Sequence, residues 1–260
     1  MAAALLLGQQ MTQTAFAADA FHWPKGAKAA VSLGYDDAID SQLDHAIPTL
    51  DKYKLKGTFF LQLSNPAVDK RMAEWRSAAK NGHELGNHSL FHQCSMSAPN
   101  HEWVKANRDT DTTTVAQMKD QIEVASTMLY AIDGKRERTY TVPCGDIKAN
   151  GVSYLPAIVS DFVAIKASDH IVTAEPTTLD PKVTMVKAPV GLSGQQLIAM
   201  VKEAADKGGM IAFTFHGIGG DYLTTSAEAH EELVKYLADN KQLYWTDTFL
   251  NIMTYVKKQK

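Results

Sequence analysis

Cysteine is scarce in this chain of 260 residues: Cys94 and Cys144 are the only two, so at most one disulfide can form. Positive charge is not in excess either. Lys and Arg number 26 against 29 Asp and Glu, a net charge of -3, so neither nucleic acid nor an anionic membrane surface is expected as a partner. No apolar run is long enough to span a bilayer as a helix, and a soluble mature protein is expected. There is no internal repeat and no Pro/Ser-rich linker. With 45% hydrophobic and 21% charged residues, the balance excludes a disordered, collagen-like or low-complexity chain. The length suits one large domain or two small ones; α/β barrels run to about 250 residues as a single domain.

The N-terminus carries a short apolar run at 2–7, followed by Ala15-Phe16-Ala17 and Ala18. Small residues at an A-x-A step lead to the expectation that residues 1–17 are a signal peptide and 18–260 one domain, exported to the periplasm or secreted; a disordered cytoplasmic tail is the alternative. One feature departs from that pattern: no Lys or Arg precedes Lys25. In an exported chain the two cysteines suggest a disulfide between loops at one end of the fold. It would close about 50 residues, worth about 4 kcal/mol by chain entropy; two free, partly buried thiols are the alternative.

Short apolar runs alternate with longer amphipathic ones. The pattern predicts strands at 28–33, 57–61, 83–87, 139–142, 162–166, 183–187, 210–215 and 243–245. It predicts helices at 44–53, 69–80, 113–132, 193–207, 226–238 and 248–257, with Asp111 or Thr112 capping the third, Gly134 beyond its end, and Ser193 capping the fourth. Such alternation implies parallel strands joined by crossover helices. The fold class is therefore α/β, a barrel of seven or eight parallel strands ahead of an open doubly wound sheet. In either form, sites gather at the carboxyl ends of the strands. Asp36 and Asp37 follow the first strand, His88 and His92 the third, Pro143-Cys144-Gly145 another, and His216 closes 210–215.

If helical, His88-Ser89-Leu90-Phe91-His92 sets two imidazoles on one face, with Cβ atoms about 5–6 Å apart, so that two nitrogens converge on one ion. Alone this is weak evidence; Asp36-Asp37 strengthens it. Neighbours on an extended segment point opposite ways, so one aspartate can ligate a cation while the other faces its water. A solvated turn or helix-capping pair is the plainer reading. His216, followed by Gly217, Gly219 and Gly220, suits proton transfer; the plainer reading is a strand-end imidazole bonded to a carbonyl.

Tyr35-Asp36-Asp37, Gly82-His83-Glu84-Leu85-Gly86-Asn87-His88-Ser89-Leu90-Phe91-His92, Pro143-Cys144-Gly145 and Phe215-His216 together resemble the polysaccharide deacetylase family, also called the nodulation-protein-B homology domain or carbohydrate esterase family four. The resemblance spans about residues 28–250 and implies a distorted (β/α) barrel. It implies Asp37, His88 and His92 as metal ligands, Asp36 as catalytic base, His216 as catalytic acid and the backbone N–H of Cys144 as oxyanion donor. Asp169 falls near the acidic residue that tunes the catalytic histidine. The implied cofactor is a divalent ion, Zn²⁺ first, with Co²⁺ or Ni²⁺ as alternatives, and the implied partner is an acetylated carbohydrate, cleaved at N- or O-linked acetyl by metal-activated water.

Three positions depart from the family pattern. Thr141 stands where an Arg normally pairs with the base, His170 where a Trp follows the fourth-motif Asp, and Thr214 where a Leu lines the acetyl pocket. His83 reads as structural. The patternless stretch 93–111 is expected to border the cleft, with Trp103 stacked on a sugar ring or packed beneath the loop. A catalytically silent carbohydrate-binding relative is the main alternative. A two-His, one-carboxylate iron oxygenase is a further one, which the strand–helix alternation and second Asp disfavour.

Overall fold

The computed structural model describes residues 21–175 and 182–259; the leader expected at 1–17 lies outside them. In chain order the elements are β1 (Ala29–Asp36), a π-helical turn (Gln42–Ala46), α1 (Ile47–Lys52), β2 (Thr58–Leu61), α2 (Pro66–Lys70), α3 (Met72–Lys80), β3 (Glu84–Asn87), α4 (Val115–Asp133) and β4 (Thr139–Thr141). Then come the hairpin β5 (Lys148–Ala149) and β6 (Val152–Ser153), α5 (Leu155–Ile158), β7 (Ala164–Lys166), β8 (Ile171–Val172), β9 (Val183–Lys187), α6 (Gly194–Asp206), β10 (Met210–Phe215), α7 (Ala227–Asp239), β11 (Tyr244–Asp247) and α8 (Phe249–Lys258).

The strands form one sheet in the order β8-β7-β4-β3-β2-β1-β10-β9, with β11 also paired to β1. Eight of them, β1–β4, β7 and β9–β11, run parallel to their neighbours; β8 returns antiparallel on β7. The sheet curls into a half-barrel, the distorted α/β barrel expected from the sequence. Among the described residues no pairing joins β8 to β9, so the ring stays open there. β11 and β2 share one side of β1: β11 pairs its first half (Ala29 to Ser32) and β2 its last residues (Gly34 to Asp36).

Strand periodicity sorts the side chains into two sets. On β1, Ala29, Val31, Leu33 and Tyr35 enter the outer core under the helices, with Phe59, Phe213 and Phe215. Ala30 enters the interior core with Phe60, Ala164, Met210 and Ala212, closed from below by Phe249, Ile252 and Met253 of α8. By the same alternation Gly34 and Asp36 on β1, Lys166 on β7 and Thr214 on β10 belong to the interior face, at the carboxyl-end layer. Glu84 joins β2, β3, β4 and the start of α8. Its carboxylate accepts from Thr58 Oγ1 (2.8 Å), Leu250 N (2.9 Å) and the Thr139 hydroxyl, while burial pushes its carboxyl up.

Several expectations shift for local reasons. α4 starts at Val115, capped by Thr114 in a reciprocal Thr114–Gln117 box rather than by Asp111 or Thr112. Asp111 instead accepts from Ser97 N at 3.0 Å, and Asp109 from Met96 N at 3.0 Å. The helix expected at 44–53 is preceded by the π turn; Pro48 lacks the N–H that an α-helix would aim at the Asp44 carbonyl.

Candidate active site

The carboxyl ends of β1, β3, β4, β7, β9 and β10 surround one cavity of about 750 Å³. Asp36, Asp37, His88, His92, Cys144 and His216 all line it. Strain concentrates here. Of twelve described non-glycine residues with left-handed backbone, six line this cavity, Asp37 (φ 83°), His92 (φ 50°) and Cys144 (φ 55°) among them.

His88 and His92 are not a helical turn apart, which corrects the helical reading. The chain after β3 is a loop with Ser89 at φ 65° and His92 at φ 50°. The motif's own polar residues build it. Asn87 Oδ1 accepts from Ser89 N (2.7 Å), Ser89 Oγ accepts from His92 N (2.9 Å), and Gln121 of α4 accepts from Phe91 N (3.1 Å). Asn87 Nδ2 is itself anchored on Ile122 O and Ser126 Oγ, both at 2.9 Å. These side-chain bonds offer the backbone an alternative to helix.

Asp37 Oδ1 lies 3.1 Å from His88 Nε2 and 3.2 Å from His92 Nε2, and Oδ2 lies 3.8 Å from His216 Nε2. Asp37 and His88 are 4% and 2% exposed. His88 Nδ1 donates to the Thr141 carbonyl at 2.9 Å, which leaves Nε2 with a lone pair toward Asp37. His92 Nδ1 faces the Cys94 sulfur, a disulfide partner with no proton to give, at 3.6 Å. Asp37 Oδ1 accordingly has no aligned donor despite both imidazoles beside it. A buried carboxylate oxygen without a hydrogen, faced by two imidazole nitrogens with all three atoms within 4.8 Å, is a donor set that fits a divalent cation. Burial would push the Asp37 carboxyl up, but positive charge on the two imidazoles would hold it well below the usual carboxylate range. Burial also opposes charge on His88, yet Asp36, Asp37 and the Thr141 carbonyl outweigh it and raise its pKa. A cation would take the place of the proton that this shift favours.

His216 closes β10 with its ring mostly buried, and Nδ1 has no hydrogen-bond partner, so the strand-end structural reading does not hold. Burial lowers its pKa against the pull of Asp36 and Asp37. Cys94 and Cys144 form a disulfide, which ties the loop after His92 to the turn that carries the Cys144 N–H. His83 is structural as expected: it is fully buried, accepts from Gly57 N at 3.1 Å and meets Asp51 at 3.1 Å.

Asp169 does not join the site. It lies in the tight turn from β7 to β8, where Ala167 N donates to His170 O, and its side chain is 79% exposed and bound to His170 Nδ1 at 2.6 Å. No carboxylate bonds His216 Nδ1, so the tuning role expected of Asp169 is not built here. Trp103 is 58% exposed at the cavity rim, 6.1 Å from the His92 ring, rather than packed beneath its loop.

Three residues escaped the sequence reading. Lys166 Nζ lies 3.4 Å from Asp36 Oδ1 and 3.0 Å from Thr214 Oγ1. Burial draws its pKa down while Asp36 opposes the shift. Gln42, fully buried, donates through Nε2 to the carbonyls of Asp36 (2.5 Å) and His216 (3.2 Å), clamping β1 to β10. Tyr222 donates to Asp37 Oδ2 at 2.8 Å, orienting the carboxylate; burial and the Asp37 charge push its phenol up.

A family model described as Polysaccharide deacetylase matches residues 24–156. The curated peptidoglycan-N-acetylmuramic acid deacetylase PdaA of Bacillus subtilis (strain 168) is 25% identical over 141 residues, covering 52% of this chain and 46% of that protein. The chain thus spans about half the length of that relative. The Xyl-CE4 domain of a multidomain xylanase from the hindgut metagenome of Trinervitermes trinervoides superposes with a TM-score of 0.57 at 18% identity, over 88% of this chain and 91% of that one. A CE4 family pseudoenzyme from Bacillus anthracis superposes with a TM-score of 0.56 at 16% identity, over 88% and 66%. Both structural likenesses speak to fold. The family match takes in Asp36, Asp37, His88, His92 and Cys144; Lys166, Thr214 and His216 lie beyond it.

Proposed function

The chain belongs to the polysaccharide deacetylase family, and from that premise we propose that it is a metal-dependent hydrolase that removes N- or O-linked acetyl groups from a carbohydrate polymer or oligomer and releases acetate. The observation that carries this reading is the convergence of Asp37, His88 and His92 in one cavity with Asp36 and His216. Asp37, His88 and His92 would hold a divalent ion, Zn²⁺ ahead of Co²⁺ or Ni²⁺. When bound, such an ion supplies Lewis acidity, lowering the pKa of water from about 15.7 to about 7–9 and polarising the acetyl carbonyl.

The chain's own residues do the rest. Asp36, at the end of β1 beside the ligands, takes the proton of the attacking water. The Cys144 N–H donates to the oxygen on which charge develops. His216 donates a proton to the leaving amine or alkoxide. The cavity volume of about 750 Å³ falls within the range of about 300–1,000 Å³ that encloses small ligands. Trp103 at its rim stacks on a sugar ring. The named substrate of the Bacillus relative makes the amino sugars of peptidoglycan the first to assay, with chitin oligomers and acetylated xylan alongside.

We place the mature chain, 18–260, in the periplasm or outside the cell as one catalytic domain. The disulfide supports an oxidising compartment. Among the described residues no helix is long and apolar enough to cross a membrane. A catalytically silent relative is the second reading, which Thr141 in place of an arginine favours. The intact base, ligands and acid weigh against it.

The test is acetate release from that panel with added Zn²⁺ or Co²⁺, with and without chelator. Release that stops with chelator is the expected result. Asp36→Asn keeps an oxygen for Lys166 and should remove most turnover while the metal stays bound. Near-normal acetate release by that variant overturns the base assignment, and no release by the wild-type protein from any substrate leaves the silent relative standing.

A further inference from the structure

Lys166 is a lysine where a barrel interior is expected to be apolar. It is 3% exposed, on the last residue of β7, and its side chain runs inward with Ala164 and Phe60. Three contacts fix the ammonium: Asp36 Oδ1 at 3.4 Å, Thr214 Oγ1 at 3.0 Å, and the face of Phe60, whose centroid is 4.5 Å away. Among the described residues it is the one Lys or Arg within 4.0 Å of the Asp36 carboxylate.

The surrounding residues are shaped to it. A Cβ on Gly34 would stand 3.2 Å from Nζ and 2.8 Å from Phe213 O. A Cβ on Gly86 would stand 2.4 Å from the Phe60 ring on which the ammonium rests. Thr141 is the register partner of Lys166 on the neighbouring strand β4, so a short side chain sits at the level where the long one passes. Thr214, in place of a leucine, supplies the hydroxyl that receives Nζ. The departures at 141 and 214 thus belong to one arrangement with Lys166. A buried ion pair is a weak source of stability, and apolar residues of similar volume often serve as well or better. Stability alone therefore does not explain an ammonium placed on the one carboxylate that stands beside the cation site and outside its ligand set.

We propose that Lys166 is the positioning residue of the catalytic base: it holds the Asp36 carboxylate toward the reacting water from β7, in the role that an arginine at position 141 would play from β4. The assignment rests on the deacetylase reading above. The residue acts through Asp36 and touches no reacting atom.

The experiment compares wild type, Lys166→Met and the double variant Thr141→Arg/Lys166→Met. It measures acetate-release kinetics with Zn²⁺, Zn²⁺ affinity by titration calorimetry, and thermal unfolding. Lys166→Met should lower kcat about 100-fold, the scale of a catalytic group misplaced by about 1 Å, with KM within about twofold. Its Zn²⁺ affinity should be unchanged or tighter, because a positive charge near the ion has gone. The double variant should regain at least about tenfold in kcat, because a cation returns from the neighbouring strand. A kcat within about threefold of wild type in Lys166→Met overturns the proposal. So does a fall in kcat matched by an equal weakening of Zn²⁺ binding, which would make Lys166 a scaffold residue, and so does a double variant no faster than the single. Should the Met variant fail to fold, Lys166→Gln, which keeps neutral hydrogen bonds, takes its place under the same criteria. If wild type loaded with Zn²⁺ releases no acetate, the deacetylase reading fails and this one with it. An active wild type with an equally active Lys166→Met fails this one alone.

Discussion

Replacing both cysteines by alanine isolates what the Cys94–Cys144 bridge contributes. The bridge joins residues 50 apart. In the chain-entropy model a closed loop of about 50 residues removes about 14 cal/mol/K from the denatured ensemble, or about 4 kcal/mol at 25 °C. A domain of this size shifts its midpoint by about 2–4 °C per kcal/mol, so Tm should fall by about 8–16 °C. The fold should survive, because the main outer core is built from β1, β2, β10 and the helices, with neither cysteine in it. The denaturant slope should rise with the midpoint's fall, since the unlinked denatured chain exposes more surface. Urea unfolding followed by tryptophan fluorescence, on freshly oxidised wild type and on the double alanine variant, measures both quantities. A loss under about 1 kcal/mol with an unchanged slope would falsify the entropic account and leave the bridge as a local clamp only.

Four further outcomes follow from single contacts. Tyr222→Phe removes the 2.8 Å bond to Asp37 Oδ2 and should weaken Zn²⁺ binding about 10- to 100-fold, the usual cost of losing an outer-shell partner; an unchanged Kd in calorimetry refutes the orienting role. Zn²⁺ at about 100 times Kd should stabilise wild type by about 2.7 kcal/mol, seen as a rise in Tm, whereas His92→Ala should show a much smaller rise; equal rises would move the ion elsewhere. His230, buried against Tyr35 Oη at 2.6 Å, has its pKa drawn down by burial to about 3. The unfolded chain takes up that proton first, so this group's contribution is complete above about pH 6.5 and is lost as pH falls toward about 3, at up to about 1.4 kcal/mol per unit. His230→Gln should flatten that slope in chemical unfolding across pH 4–7, and an identical slope refutes the assignment. Trp103→Ala should raise KM about fivefold for oligosaccharides, about 1 kcal/mol of stacking, and normal affinity dismisses the stacking role.

Much of the fold was legible because strands such as β1, β2 and β10 are buried along their whole length. The runs at 183–187 and 210–215 coincide with β9 and β10, and Ser193 and Gly134 cap α6 and α4 as read. What escaped has physical causes. β5, β6 and β8 are two residues each, too short to show a period. β1 runs to Asp36 rather than stopping at 33: Gly34 and Asp36 add no apolar side chain to the pattern, yet both stay in register with β2. The i, i+4 spacing of His88 and His92 mimicked a helix, yet Asn87 and Ser89 spend their side chains on the loop backbone, so the spacing was right and the geometry behind it was not.

The candidate site divides along the same line. Asp36, Asp37, His88, His92, Cys144 and His216 were readable because each lies at or just past the end of a strand read from the sequence, and the structure brings all six to one cavity. Asp169 entered only through the family resemblance, and a tight hairpin turn carries it into solvent. Gln42 and Tyr222 act across 174 and 185 residues, contacts that no local pattern encodes. Lys166 is the instructive case. The rule that picked out Asp36 and His216 was a polar side chain closing an apolar strand at its carboxyl end, and Lys166 closes 162–166 in the same way. Applying that rule only to acids and histidines passed over it. A vacancy at Thr141 and a hydroxyl at Thr214, on strands to either side of the interior, are the partners that a lysine entering from β7 requires. Missing charge at one position of such a site is therefore evidence to look along the same layer of the barrel for the strand that supplies it.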